Sequence, residues 1–259
     1  MSGEVYTWDD LDTELAQWQS AGRPVTLWWR DDDATTDGPA LQRLLRLSAK
    51  WQVPLSLAVI PARASASLSA PLRDCPRLAV LQHGYAHIDY GGGAEPAAEL
   101  GEHRAQPQVL GELVRGRERL IEVLGAFFMP VLVPPWNRIA PVLVPELEGL
   151  GYQGLSCFSA RQWYKGTRSP SLSRVNCHVD PVNWKAGGVF RGESKSLSMM
   201  ISHLRARRRG EVDTEEPTGV LTHHWRHDEA TWIFLEHLFE RTRAHSGVRW
   251  LDAHEVFCS

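Results

Sequence analysis

Apolar residues fall into two rhythms along this chain. Continuous apolar runs of strand length recur at 25–29, 54–61, 78–82, 127–133, 154–158, 219–223 and 248–251, and 174–179 alternates as a half-buried strand does. Unbroken runs suit parallel strands covered on both faces. Between them, apolar residues at helical spacing predict helices over 8–20, 39–51, 107–124, 141–150, 195–209 and 228–245, with a short one near 65–73. Asp9 or Asp10 can cap the first helix, and Pro39 and Pro141 stand at helix starts. The Gly-rich stretch 91–106 reads as a loop excursion, and most of 160–195 has no clear pattern. Strands alternating with helices favour a (β/α) barrel, with a doubly wound open sheet as the alternative. A single domain over 1–259 is expected, with residues 1–23 as an N-terminal helical extension.

Composition narrows the class. At 259 residues, with 43% hydrophobic and 23% charged residues, the chain can bury a sizeable core. A net charge of −3 gives no general attraction to nucleic acid or to an anionic membrane, so neither is expected as a partner. Cys75, Cys157, Cys177 and Cys258 are scattered, which points to reduced thiols rather than a disulfide framework or a thiolate zinc site. The first ten residues hold no basic region followed by an apolar core, and no run reaches membrane-spanning length. A cytoplasmic protein is expected. Nothing in the sequence sets an oligomeric state.

Two polar stretches carry candidate chemistry. Arg30-Asp31-Asp32-Asp33 follows the first strand, and His83-Gly84-Tyr85-Ala86-His87 follows the third. Three adjacent carboxylates repel one another unless a cation or an arginine offsets them. Two imidazoles three residues apart can turn the same way in a tight loop and supply two nitrogens to a tetrahedral metal. An isolated HxxxH pair is a weak signal, and an acidic run can be a solvated cap. Their shared position at strand C-termini, where α/β folds carry chemistry, makes each more credible. His178, His224 and His227 can face a pocket or fill the core. Trp136, Trp184 and Trp225 are the tryptophans best placed to stack on a sugar, while Trp18, Trp51 and Trp232 read as core. The Arg205–Arg209 run reads as a solvated helix end favoured by the helix dipole.

The chain resembles the polysaccharide deacetylase, or NodB-homology, family on five stretches in order: Arg30–Asp33, His83 to His87, Val133-Pro134-Pro135-Trp136, Asp180-Pro181-Val182-Asn183-Trp184, and Leu221-Thr222-His223. The resemblance implies a distorted (β/α)7–8 barrel and metal-dependent hydrolysis of a carbon–nitrogen bond, most simply N-deacetylation of a sugar or related N-acyl compound. It assigns Asp33, His83 and His87 to a divalent metal, with zinc expected. It assigns Asp32 as general base toward water and His223 as general acid, and it puts Pro135, Trp136, Trp184 and Leu221 at the substrate. Arg30, Asp31, Asp180 and His224 are supporting candidates. Asp31 and Asp32 form the alternative register for the acidic pair. The family's third-motif arginine is Val133 here, and Arg30 or Arg138 can replace its charge. The missing arginine also motivates a second reading, a non-catalytic carbohydrate-binding protein that keeps the metal pocket.

Overall fold

A computed structural model describes residues 5–75, 77–93, 95–161 and 172–258. The chain runs α1 (Trp8–Ser20), β1 (Val25–Ala34), α2 (Pro39–Trp51), β2 (Leu55–Val59), α3 (Ser69–Leu72), β3 (Leu78–His83), α4 (Gln106–Leu124) and β4 (Phe128–Val133). There follow α5 (Glu146–Gly149), β5 (Gly154–Leu155), β6 (Ser173–Arg174), a hairpin of β7 (Val182–Asn183) and β8 (Val189–Phe190), and α6 (Glu193–Arg209). Then come β9 (Thr218–Thr222), α7 (Glu229–Ala244), β10 (Val248–Leu251) and α8 (Ala253–Phe257). Among the described residues no helix is long and apolar enough to cross a membrane, and all four cysteines are free.

Parallel pairing runs β1–β2–β3–β4–β5–β6, with β9 on the other edge of β1. Past β6 the chain continues alongside β5 and then reaches β9 through the Val179–Val220 bridge, reinforced by Leu221 N–H to the Val179 carbonyl. The ring therefore closes as a distorted barrel, and an open doubly wound sheet is excluded. Leu27 pairs with both Thr218 and Trp250, and Arg30 with both Ser56 and Leu221. β10 and β2 thus share one edge of β1 in succession, and this opens the N-terminal end of the barrel. α8 fills the opening: Phe257 packs edge-on to Trp28 at 5.6 Å and against Gly154.

Two layers of core follow from strand alternation. Trp28, Ala58, Leu81, Val131, Cys177 and Leu221 form the barrel interior, and Leu27, Trp29, Leu57 and Val80 pack outward under the helices. Helix α1 lies on α6 through buried Leu11, Leu15 and Trp18, and its buried Glu14 accepts from Arg208. The Arg205–Arg209 run is not simply a solvated end. Arg207 is buried, donating to the Thr26 carbonyl and to Thr218 Oγ1. Two further boundaries differ from the sequence pattern. The 154–158 strand keeps two ladder residues; past them Arg30 donates to the Ser156 carbonyl, and pairing resumes only as the isolated Phe158–Cys177 bridge. The 141–150 helix divides into a 3-10 turn and α5. Within the unassigned stretch 160–195, residues 162–171 lie outside the described residues.

Candidate active site

The acidic run is the last part of β1 rather than the loop after it. Alternation puts Trp28, Arg30 and Asp32 on the inner face and Trp29 and Asp31 on the outer face. Arg30 and Asp32, two residues apart, therefore lie side by side, Nε to Oδ1 at 2.9 Å and Nη2 to Oδ2 at 3.0 Å. Both are buried, and Arg30 donates further to Ser156 Oγ at 2.6 Å and Asn137 Oδ1 at 2.6 Å. Burial works against the guanidinium's charge, but the Asp32 carboxylate holds its pKa above the ordinary arginine value. Arg138, the other candidate for the missing arginine, instead donates to the Ala97 carbonyl.

Asp31 points the other way and is fully buried. It accepts from Thr222 Oγ1 at 2.6 Å, from the His224 amide at 3.0 Å, and lies 2.5 Å from His224 Nδ1. Burial would raise its carboxyl, yet His224 holds it below the usual value. A register shift between Asp31 and Ala34, with Asp33 at φ 71°, returns the third carboxylate toward the barrel mouth. One run of three aspartates thus ends in three environments.

Asp33 Oδ1 lies 3.1 Å from His83 Nε2 and 3.2 Å from His87 Nε2, and the three donor atoms fall within 4.8 Å of one another. Oδ1 is buried and has no hydrogen-bond partner, while Oδ2 accepts from Trp225 Nε1 at 3.2 Å. Ligands about 2.1 Å from a tetrahedral zinc stand about 3.4 Å apart, so this spacing fits such an ion. His83 Nδ1 sits 2.9 Å from the Val133 carbonyl, which fixes a proton on Nδ1 and points Nε2 toward Asp33. Burial, then the His83 charge, pushes His87 down to about 4, leaving it a neutral imidazole. Burial opposes the charge on Asp33, but His83, His223 and His87 together hold its carboxyl well below the usual range.

His83 closes β3, and a non-helical loop after it carries His87. Gly84 has φ 53°, and a side chain there would strike Pro135 at 2.6 Å. The buried Glu99 carboxylate gathers the loop by accepting the amides of Tyr85, Ala86 and His87 at 2.7–3.3 Å. Burial raises its pKa more than these amides lower it. Glu99 lies in the 91–106 stretch, where no sequence signal marked it.

A cavity of about 400 Å³ opens over these groups, lined by Asp32, Asp33, His83, His87, Leu221 and His223, with Trp136 and Trp184 on its rim. Trp136 packs on His87 at 4.2 Å, and Trp184 meets His223 edge-on at 4.7 Å. Asp180 accepts from the Val182 amide at 2.8 Å and Trp184 Nε1 at 2.9 Å, so it anchors the β7–β8 hairpin that carries Trp184. Burial raises the Asp180 carboxyl, and the neighbouring His223 counters this. His223 is buried, and its Nδ1 has no partner. Pro135 does not line this cavity; it is buried against Gly84 and shapes the histidine loop. His224 does not line it either, facing a recess behind Asp33 and His87. Asn137, Ser156 and Glu99 carry no local signal, because their contacts are with residues far along the chain.

A second cluster, His178, His203 and Glu216, also brings its donor atoms together. The Gly219 amide donates to His178 Nδ1 at 3.0 Å, which leaves the proton on Nε2, the atom a metal would need. This is a buried polar network, in which the two rings stack at 3.4 Å.

No family model matches the chain, and no curated protein matches it. Solved structures do. A Mycobacterium smegmatis protein described as a polysaccharide deacetylase superimposes with a TM-score of 0.64 at 17% identity, covering 89% of this chain and 88% of that one. A family 4 carbohydrate esterase from Streptomyces lividans, in complex with acetate, gives 0.54 at 15% identity over 87% and 90%. A family 4 acetyl xylan esterase from Clostridium thermocellum, in complex with a cobalt ion, gives 0.53 at 13% identity over 90% and 90%. The chain has the fold these proteins share.

Proposed function

We propose that this chain, which shares the fold of the polysaccharide deacetylases, is a metal-dependent hydrolase of an N-acyl bond, acting on an N-acetylated sugar or a related compound. The observation that carries the reading is the convergence of Asp33 Oδ1, His83 Nε2 and His87 Nε2 in one cavity with Asp32 and His223. A carboxylate with two imidazoles suits a divalent ion, zinc by donor chemistry. Bound there, such an ion supplies Lewis acidity, easing deprotonation of water and polarising an amide carbonyl.

The chain's own residues do the rest. Asp32 takes the proton of the attacking water at a carboxylate oxygen, held in place by the Arg30 fork. His223 delivers a proton to the departing nitrogen, which then leaves as an amine while the acyl group leaves as a carboxylate. Leu221 and Trp184 enclose the acyl group and keep bulk water from the reacting atoms. Asp180, through the hairpin that carries Trp184, sets the wall beside His223.

The non-catalytic reading drew its support from the absent third-motif arginine. Arg30, bonded to both oxygens of Asp32, supplies that charge from the neighbouring position on the same strand, and the hydrolase is the better-supported reading. The test is metal content together with acetate release from N-acetylated sugars. Stoichiometric divalent metal and turnover are expected, both abolished by Asp33→Ala or His87→Ala, whereas His223→Ala should keep the metal and lose turnover. Metal-free protein whose activity survives Asp33→Ala would remove the proposed centre.

A further inference from the structure

Asn137, Arg138 and Phe158 line the cavity over Asp32 and also open into a second one of about 530 Å³. Arg161 and Ser159, beyond β5, and Arg174 and Asn176, at β6, complete much of its wall. Three arginines face this space, and among the described residues no aspartate or glutamate lines it. Acidic groups lie behind the wall. Asp213 pairs with Arg161, while Glu216 accepts the amides of Arg161 and Asn176 and stands 3.6 Å from His178 Nε2.

Arg138 and Arg174 are different. Among the described residues neither forms an ion pair, and Arg174 Nη1 is buried without a hydrogen-bond partner. A buried guanidinium nitrogen with nothing to donate to is costly, and an arriving acceptor would relieve that cost. Arg191, on the wall of the first cavity, likewise donates to backbone carbonyls, those of Asp180 and Val182. Guanidinium forks match the planar or tetrahedral oxygens of carboxylates and phosphates.

We propose that the second cavity is a subsite for an oxyanion, a carboxylate or a phosphate, on the molecule whose acylated amine occupies the first. The inference rests on the deacylase reading for the other end of that molecule. It makes the substrate an acidic N-acyl sugar, or one with an acidic neighbouring residue, rather than a neutral N-acetylated polymer. Such a substrate spans both cavities, with its amide at Asp32 and His223 and its charge at Arg174 and Arg138.

The test compares three N-acetylated sugars of equal length, one neutral, one bearing a carboxylate and one bearing a phosphate. At low ionic strength kcat/KM for at least one anionic form should exceed the neutral value by about tenfold or more, and the ratio should shrink with salt. The anion that is preferred identifies the group. In Arg174→Met, and in Arg138→Ala at an exposed position, the ratio should fall toward one. Equal kcat/KM on neutral and anionic sugars, or a preference that survives both substitutions, overturns the subsite. If none of the three turns over, the deacylase reading fails separately. Calorimetric binding of the deacetylated acidic sugar then decides the subsite: Kd should weaken about tenfold in Arg174→Met, and an unchanged Kd refutes it.

Discussion

Three consecutive aspartates acquire three jobs because a β-strand alternates and then bulges. Asp31 turns outward to Thr222 and His224, Asp32 inward to Arg30, and Asp33 comes back to the histidines through a positive φ. The pairing of Arg30 with Asp32 makes the sharpest prediction at this scale. Removing one partner of a buried ion pair leaves an uncompensated charge, so Arg30→Met should lower unfolding stability by about 3–5 kcal/mol in denaturant melts. Arg30→Lys keeps the charge but cannot bond both carboxylate oxygens while reaching Ser156 and Asn137. It should fold, retain metal, and lose about 10²-fold in kcat, since a misplaced base can cost that much. Wild-type kcat in Arg30→Lys would mean that Asp32 needs only a nearby charge.

At the scale of elements, the loop that carries His87 is shaped by a carboxylate outside the Asp33–His83–His87 cluster. Glu99 gathers three consecutive amides at Tyr85, Ala86 and His87, while Gly84 and Pro135 allow the chain to turn closely beneath them. Glu99→Ala leaves those amides without their acceptor, and His87 should lose its fixed position. Metal affinity is expected to fall about 10–100-fold, as when a group that orients a ligand is lost, with kcat at saturating metal less affected. Titration against a competing chelator measures this, and unchanged affinity would show that His83 and Asp33 alone hold the loop. The hairpin β7–β8 plays a comparable part on the opposite wall, tied through Asp180 and carrying Trp184.

Across the whole molecule, closure of the barrel buries titratable groups where helix α6 meets β9. His203 lies there, its Nδ1 2.9 Å from Thr218 Oγ1, and burial with the nearby His178 pushes it down to about 2. An unfolded chain takes up that proton near pH 6.5, so the unfolded state binds more protons between 6.5 and 2. The stabilisation is complete above pH 6.5 and is lost as pH falls. On the order of 2 kcal/mol should disappear between pH 7 and pH 5 from this residue alone. Denaturant melts across that range should show the slope, flattened in His203→Phe; the same slope in both proteins would place the acid sensitivity elsewhere.

What the sequence determined by itself is the alternation of strand and helix and the placing of the aspartate run and His83 at strand ends. Strands buried on both faces write unbroken apolar runs, and the polar residues that interrupt them, Arg30–Asp33 and His83, sit at the barrel mouth. Helical spacing likewise marked Trp18 and Trp232 as core, and both are buried. Short strands carry too few residues for a pattern, so the β7–β8 hairpin and the ring closure at Val179–Val220 needed the fold. The buried Arg207 also escaped local reading, because its partners Thr26 and Thr218 belong to other elements. Only tertiary structure chose between Arg30 and Arg138, separated the three aspartates, and moved Pro135 and His224 away from the cavity. Strand alternation pairs Arg30 with Asp32 locally, but the partners of Asp31, Asp33 and Pro135 stand tens to hundreds of positions away, where local spacing holds no information.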